Sequence, residues 1–167
     1  MPARLGQALT AARRAASRYH GGVRALVLVC LLSASAAADP IIGDRAPAIA
    51  ADVGSGVALV DFYATWCGPC QQAMAVLDAL AARHHVRLVV VDTGEPAERV
   101  HAFVAAHPLP PGATLVLDER GDLARSWGMH RLPTTFVLAD GVIRHINRGF
   151  GSGYAERMDR WVGALLR

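Results

Sequence analysis

Val57-Ala58-Leu59-Val60-Asp61-Phe62-Tyr63-Ala64-Thr65-Trp66-Cys67-Gly68-Pro69-Cys70 decides how this chain is read. It opens as a nearly continuous apolar run over 57–63, the pattern of a strand buried on both faces. It closes on a Cys-x-x-Cys pair, and an alanine-rich segment of helical length, Gln71 to His85, follows. Buried strand, close cysteine pair, helix is the order of a redox site. A tetrahedral zinc site draws its ligands from two such pairs, or from one pair and two histidines, and this chain has a single pair.

The nucleophile in thiol–disulfide exchange is the thiolate, so one cysteine must be acidified. Cys67 falls at the start of a helix, where free backbone N–H groups and the helix dipole favour negative charge. Gly68-Pro69 lets the turn form while beginning the helix, since proline is tolerated in a first turn. Cys70, one helical turn on, faces the same way and can resolve a mixed disulfide. Behind the pair, Asp61 interrupts a run of Val, Leu and Phe. Buried, it would be harder to ionise and suited to exchanging a proton with Cys70; the alternative is an outward-turned side chain on a polar face. Trp66 reads as a partly exposed platform beside the nucleophile. Leu132-Pro133-Thr134-Thr135-Phe136 puts a proline at the mouth of a strand, where something must compensate for the missing N–H.

Farther out, Met74, Leu77, Leu80 and Ala81 keep the spacing of a helix's inner face. Val86 to Val91, ending at Asp92, reads as a second buried strand. Glu95 to His107 reads as a helix with Pro96 in its first turn and Val100, Phe103 and Val104 inward. Thr114 to Leu117 is a short strand, and Asp122 to Trp127 a short helix with Asp122 as its N-cap. Thr135–Leu138, Asp140-Gly141 and Val142–Asn147 form a hairpin. Tyr154 to Leu166 closes the chain as a helix with Met158, Trp161, Val162 and Leu165 inward. Asp39 to Gly56 is a lead-in with at most a short strand. Strands alternating with helices, then a hairpin and a helix, indicate an α/β sheet covered on both faces.

The 167 residues suit one domain with a substantial core, and a hydrophobic share of 53% with mean hydropathy +0.28 excludes global disorder. The net charge of +3 is misleading as a whole. Arg4, Arg13, Arg14, Arg18 and Arg24 precede Asp39 with no acid among them; the remaining 12 basic and 14 acidic residues leave −2 for the rest. A nucleic-acid partner thereby loses its main support. The basic stretch, the apolar run Ala25–Ala38 and the small residues Ala36-Ala37-Ala38 match a secretory signal over residues 1–38, with cleavage after Ala38. The domain proper is then 39–167. Retention as an N-terminal anchor through residues 25–38 is the alternative, and only then would the chain hold a membrane. After cleavage the only cysteines left are Cys67 and Cys70, a pair kept to react and not to staple a scaffold.

Val60 to Cys70 followed by Leu132-Pro133-Thr134-Thr135-Phe136 resembles the thioredoxin superfamily. The lead-in Gly43-Asp44-Arg45-Ala46-Pro47 and the added helix and strand from Glu95 to Leu117 resemble its exported TlpA/ResA branch. This resemblance implies a thioredoxin fold: a central mixed sheet with helices on both faces and a TlpA-type helix–strand insertion. It implies a cis Pro133 beside the site and a substrate paired with the backbone around Leu132. By the family pattern Cys67 would attack, Cys70 would resolve and Asp61 would handle the proton. The same pattern implies a substrate-binding surface of Trp66, Gly68, Pro69, Leu132 and Pro133. No metal is implied, and no cofactor beyond a redox-active Cys67–Cys70 disulfide. The branch implies a periplasmic or otherwise extracytoplasmic thiol:disulfide oxidoreductase that reduces envelope proteins, such as apocytochrome c or copper-site cysteines, and is fed by a membrane electron donor of the DsbD/CcdA type.

The chain departs from the family at four positions. Asp61 follows thioredoxin, where TlpA-like relatives often carry Asn. Leu88 stands where thioredoxins place a lysine near that acid, which predicts an Asp61 that is harder to ionise. Ala75 replaces a common proline and predicts a straighter helix, and Ala73 replaces a glutamate frequent in ResA-like chains. Two other functions remain open: a disulfide oxidase or isomerase, and, from a different class, a metallochaperone or redox-inert assembly module. Of the histidines, only His130, near Pro133, is expected close to the cysteines.

Overall fold

A computed structural model describes residues 38–49 and 51–167; the expected signal over residues 1–38 lies, but for Ala38, outside the described residues. The elements run β1 (Val57–Tyr63), α1 (Gly68–His84), β2 (Arg87–Thr93), α2 (Ala97–Ala106), β3 (Thr114–Asp118), α3 (Asp122–Ser126), β4 (Thr134–Ala139), β5 (Val142–Arg148) and α4 (Tyr154–Leu165). The sheet order is β3-β2-β1-β4-β5, so the strand that carries the decisive stretch lies at its centre. β1 pairs parallel with β2 and β2 with β3, whereas β4 is antiparallel to both β1 and β5. The two parallel steps move the same way across the sheet, and crossovers of one hand then bring α1 and α2 to the same face.

Side chains alternate along β1. Val57, Leu59 and Tyr63 pack with α1 and α4, while Ala58, Val60 and Phe62 pack on the opposite face with α3 and Trp127. Both faces are covered, and all seven residues of β1 are buried. The outward alternative for Asp61 is therefore overturned: there is no polar face for it to reach, and it has no exposed surface. On the second face Phe62, Trp127 and Phe136 form an aromatic cluster with ring centroids between 5.0 and 5.8 Å apart. The lead-in supports the hairpin edge. Gly43 donates its N–H to Ile143, Ile143 donates to Asp44, and Ala46 donates to Gly141, all within 2.9 Å. This covers an otherwise open strand edge with one bridge, Arg45 to Val142.

Several local expectations shift. α1 begins at Gly68, and its fully buried stripe is Cys70, Ala73, Leu77 and Leu80, with Met74 and Ala81 half-buried on the flanks. Pro96 is the residue just before α2 and not within its first turn; Val100 is buried there, whereas Phe103 and Val104 are half-buried. Asp122 is not the N-cap of α3. Gly121 holds that position at φ +68°, and the carboxylate of Asp118 accepts the N–H groups of Leu123 and Ala124 at 3.0 and 2.8 Å. The buried strand-end acid reaches both free amides at once, which leaves Asp122 to pair with Arg120 and Arg125 in solvent. In α4, Tyr154, Met158 and Val162 are buried, while Trp161 and Leu165 are half-buried. The hairpin turn places Asp140 at φ +53° and Gly141 at φ +72°, as a two-residue primed turn requires.

Candidate active site

Because β1 is the central strand, the loop that leaves its end emerges in the middle of the sheet's edge. Ala64 accepts the N–H of Cys67 at 3.0 Å and turns the chain toward α1. Cys67 is the N-cap of that helix, with extended backbone, and Gly68 and Pro69 fill the first two helical positions. The Cys67 sulfur accepts the N–H of Cys70 at 3.2 Å. It thus lies where the helix's unpaired donors point, the setting that stabilises a thiolate. Cys67 and Cys70 are joined in a disulfide, with Cα atoms 5.2 Å apart. Their accessibility differs: Cys67 keeps 5% exposure and Cys70 none.

Trp66 is 69% exposed, a large apolar ring facing solvent beside the disulfide. With Cys67, Gly68 and Pro69 it forms one wall of an open groove of about 510 Å³, whose other wall is Met129 to Leu132. The Leu132–Pro133 bond is cis. Leu132 lines the groove and Pro133 is buried behind it, its carbonyl accepting the N–H of Gly149 at 2.7 Å. Among the described residues no backbone–backbone hydrogen bond uses the N–H or C=O of Leu132. His130 is indeed on this wall, with Nε2 2.7 Å from the Asp39 carboxylate.

Asp61 sits on the α1 and α4 side of β1. Its Oδ1 accepts the Thr135 hydroxyl at 2.7 Å, and its Oδ2 is buried with no partner. Burial pushes its carboxyl up from 3.8 to about 7, with the Thr135 hydrogen bond pulling the other way. Leu88 supplies no cation to offset the burial, as the sequence led one to expect; it is part of the apolar cluster on that face. The Tyr154 hydroxyl lies 2.9 Å from Thr135 Oγ1. Thr135 has one hydroxyl proton, and it goes to Asp61, so Tyr154 is the donor of that second bond. Burial, then the Asp61 charge, push the Tyr154 phenol upward.

Sequence reasoning did not reach Thr135 or Tyr154. The available signal was weak: a threonine two residues after Pro133, and a tyrosine on the inner face of the closing helix. It also passed over Thr65 in the loop before Cys67, Glu95, whose carboxylate holds Thr65, and the buried Asp92 opposite Tyr63.

The chain is similar to several known proteins. The chain is 38% identical over 96 residues to the thiol:disulfide interchange protein DsbE homolog of Paracoccus denitrificans, covering 58% of this chain and 51% of that one. It is 31% identical over 100 residues to the thiol-disulfide oxidoreductase ResA of Geobacillus thermodenitrificans, covering 58% of this chain and 56% of the relative. The matches thus span about half the length of these relatives. A crystal structure from Chlorobium tepidum, described as a thiol:disulfide interchange protein DsbE, superposes with a TM-score of 0.70 at 26% identity, covering 76% of this chain and 99% of that one. The fold is the thioredoxin fold expected from the motif. The Redoxin family model matches residues 43–159, and the chain belongs to that family.

Proposed function

We propose that the protein is a thiol:disulfide oxidoreductase that reduces disulfides in proteins outside the cytoplasm. The observation that carries this reading is the disulfide between a groove-lining Cys67 at the N-terminus of α1 and a fully buried Cys70. In the reduced state the Cys67 thiolate attacks one sulfur of a substrate disulfide laid along the groove. A Cys67–substrate disulfide forms and the other substrate sulfur leaves as a thiolate. Cys70 then gives its proton to Asp61 and attacks Cys67, which releases the second substrate thiolate and forms the Cys67–Cys70 disulfide. Asp61 Oδ2 is the free oxygen for that proton, since Oδ1 is engaged by Thr135. Trp66, Gly68, Pro69, Leu132 and Pro133 bind the substrate segment, the backbone of Leu132 by strand-like pairing.

Each turnover consumes one dithiol, so a membrane donor of the DsbD/CcdA type must restore it in an oxidising compartment. The leader over residues 1–38 directs export, with residues 39–167 as the working domain. Apocytochrome c or copper-site cysteines are the substrate class that the TlpA/ResA resemblance favours.

A Cys70→Ser chain tests the exchange step, because the mixed disulfide on Cys67 then has no resolving thiol. Disulfide-linked proteins recovered from envelope fractions are expected, lost again on Cys67→Ser; recovery of none counts against exchange. A reduction potential near or below about −200 mV supports the reductase direction, and one near about −120 mV favours an oxidase. Copper or zinc titration of the reduced chain tests the metal-carrying alternative.

A further inference from the structure

Two buried acids, Asp92 opposite Tyr63 in the β1–β2 ladder and Glu95 against Thr65, take no part in the exchange described above. Glu95 is 3% exposed and Asp92 has no exposed surface. The Glu95 carboxylate grips Thr65 with both oxygens: Oε2 accepts the Thr65 N–H at 2.6 Å and Oε1 the Thr65 hydroxyl at 2.7 Å. Thr65 lies between the end of β1 and Trp66-Cys67. Its carbonyl accepts the Gln71 side-chain amide at 3.1 Å, which ties the loop to α1. So one carboxylate from the loop that follows β2 holds the residue that leads into the nucleophile.

We infer that Glu95 is a positioning residue for Cys67, holding Thr65 so that the sulfur stays at the helix N-terminus, with the buried Asp92 as its neighbour. This rests on the reading of Cys67 as the exchange nucleophile. Short, doubly engaged hydrogen bonds to a carboxylate are among the strong ones, and losing this acceptor leaves a buried backbone N–H unpaired. The loop would then have to rotate to find a partner, carrying Cys67 away from the donors that stabilise its thiolate.

Asp92 fits the same role. Both of its oxygens are buried and unpartnered. Burial, then the charge of Glu95, push its carboxyl from 3.8 to about 7. Asp92 therefore holds a proton at higher pH than an ordinary carboxyl does. The other groups facing the pair are few. From β1 the Tyr63 phenol is pushed upward by burial, then by the charges of Asp92 and Glu95. From α2 the exposed Arg99 approaches Glu95 Oε1 to 3.9 Å. From the end of β3, Asp118 is committed to the amides of α3.

The test is the pH profile of Cys67 alkylation by iodoacetamide in the Cys70→Ser background, with disulfide reduction followed in the intact dithiol protein. Glu95→Ala should lower the alkylation rate about tenfold at about pH 6, the loss expected for a thiol one pH unit less acidic. Glu95→Gln, whose amide oxygen still accepts the N–H, should stay within about threefold. Asp92→Asn should remove an inflection near neutral pH from the profile. Thr65→Val, which drops only the hydroxyl bond, gives a smaller loss in the same direction and serves if Glu95→Ala does not fold. Folded Glu95→Ala and Thr65→Val chains with the parent profile overturn the proposal. A parent protein that reduces no disulfide overturns the exchange reading itself, and that outcome is visible without any variant at 95 or 65.

Discussion

Thr135 stands directly opposite Asp61 in the antiparallel β1–β4 ladder, and its hydroxyl donates to the Asp61 carboxylate over 2.7 Å. The bond favours the ionised acid and so counteracts burial. Thr135→Val removes that donor while keeping the branched shape. The Asp61 carboxyl should then titrate about one pH unit higher than its present midpoint near 7. Carbon-detected NMR of the Asp61 carboxyl reads the midpoint directly, and an unchanged or lower value contradicts the bond's role.

Asp61 also links stability to pH, with a definite sign. Its folded value is raised from 3.8 to about 7. Its stabilising contribution is therefore complete below about 3.8 and is lost as pH rises through about 7. Asp61→Asn escapes that loss. The variant should be more stable than the parent by roughly 4 kcal/mol at about pH 8, with the gap closing toward about pH 4. Urea unfolding of both oxidised chains at the two pH values gives the comparison; equal gaps at both would sink the assignment.

Gly128 has φ +60°, and a Cβ there would come within 2.8 Å of the Asp39 side chain. Gly128→Ala combines left-handed strain with a steric clash. It should cost about 1–2 kcal/mol and loosen Asp39 from His130 on the groove wall. Thermal melts measure the cost, and the His130 ring resonances report whether its carboxylate partner has moved.

Ala75 lies within α1, which runs unbroken from Gly68 to His84. Ala75→Pro deletes a helical hydrogen bond and sets the ring against the preceding turn. A loss of about 3 kcal/mol is expected, with a kinked α1. A chain that tolerates the proline within about 0.5 kcal/mol would mean that the straight helix contributes little here.

The core of the fold was legible because it is written locally. A continuous apolar run marked β1, alternating β and α segments marked the sheet with its covering helices, and the cysteine pair marked the helix start. Local chemistry misled at α3, where Asp122 had the right type for a cap but stands one residue inside the helix, after Gly121. Asp118 took the task because the end of β3 brings its buried carboxylate to the same amides. The site divides in the same manner. Cys67, Cys70 and Asp61 are recognisable within a dozen residues, since spacing alone puts one sulfur a helical turn from the other and one acid inside an apolar strand.

By itself, then, the sequence determined the redox pair, the strand and helix that hold it and the acid behind it. Only the tertiary structure decided which groups tune them. Thr135 meets Asp61 across 74 positions of sequence, and Glu95 meets Thr65 across 30. Those pairings come from strand register and from the crossover that lays β2 beside β1. The physical reason is that periodicity encodes which face a residue presents, whereas the partner on that face is chosen by elements packed from elsewhere in the chain.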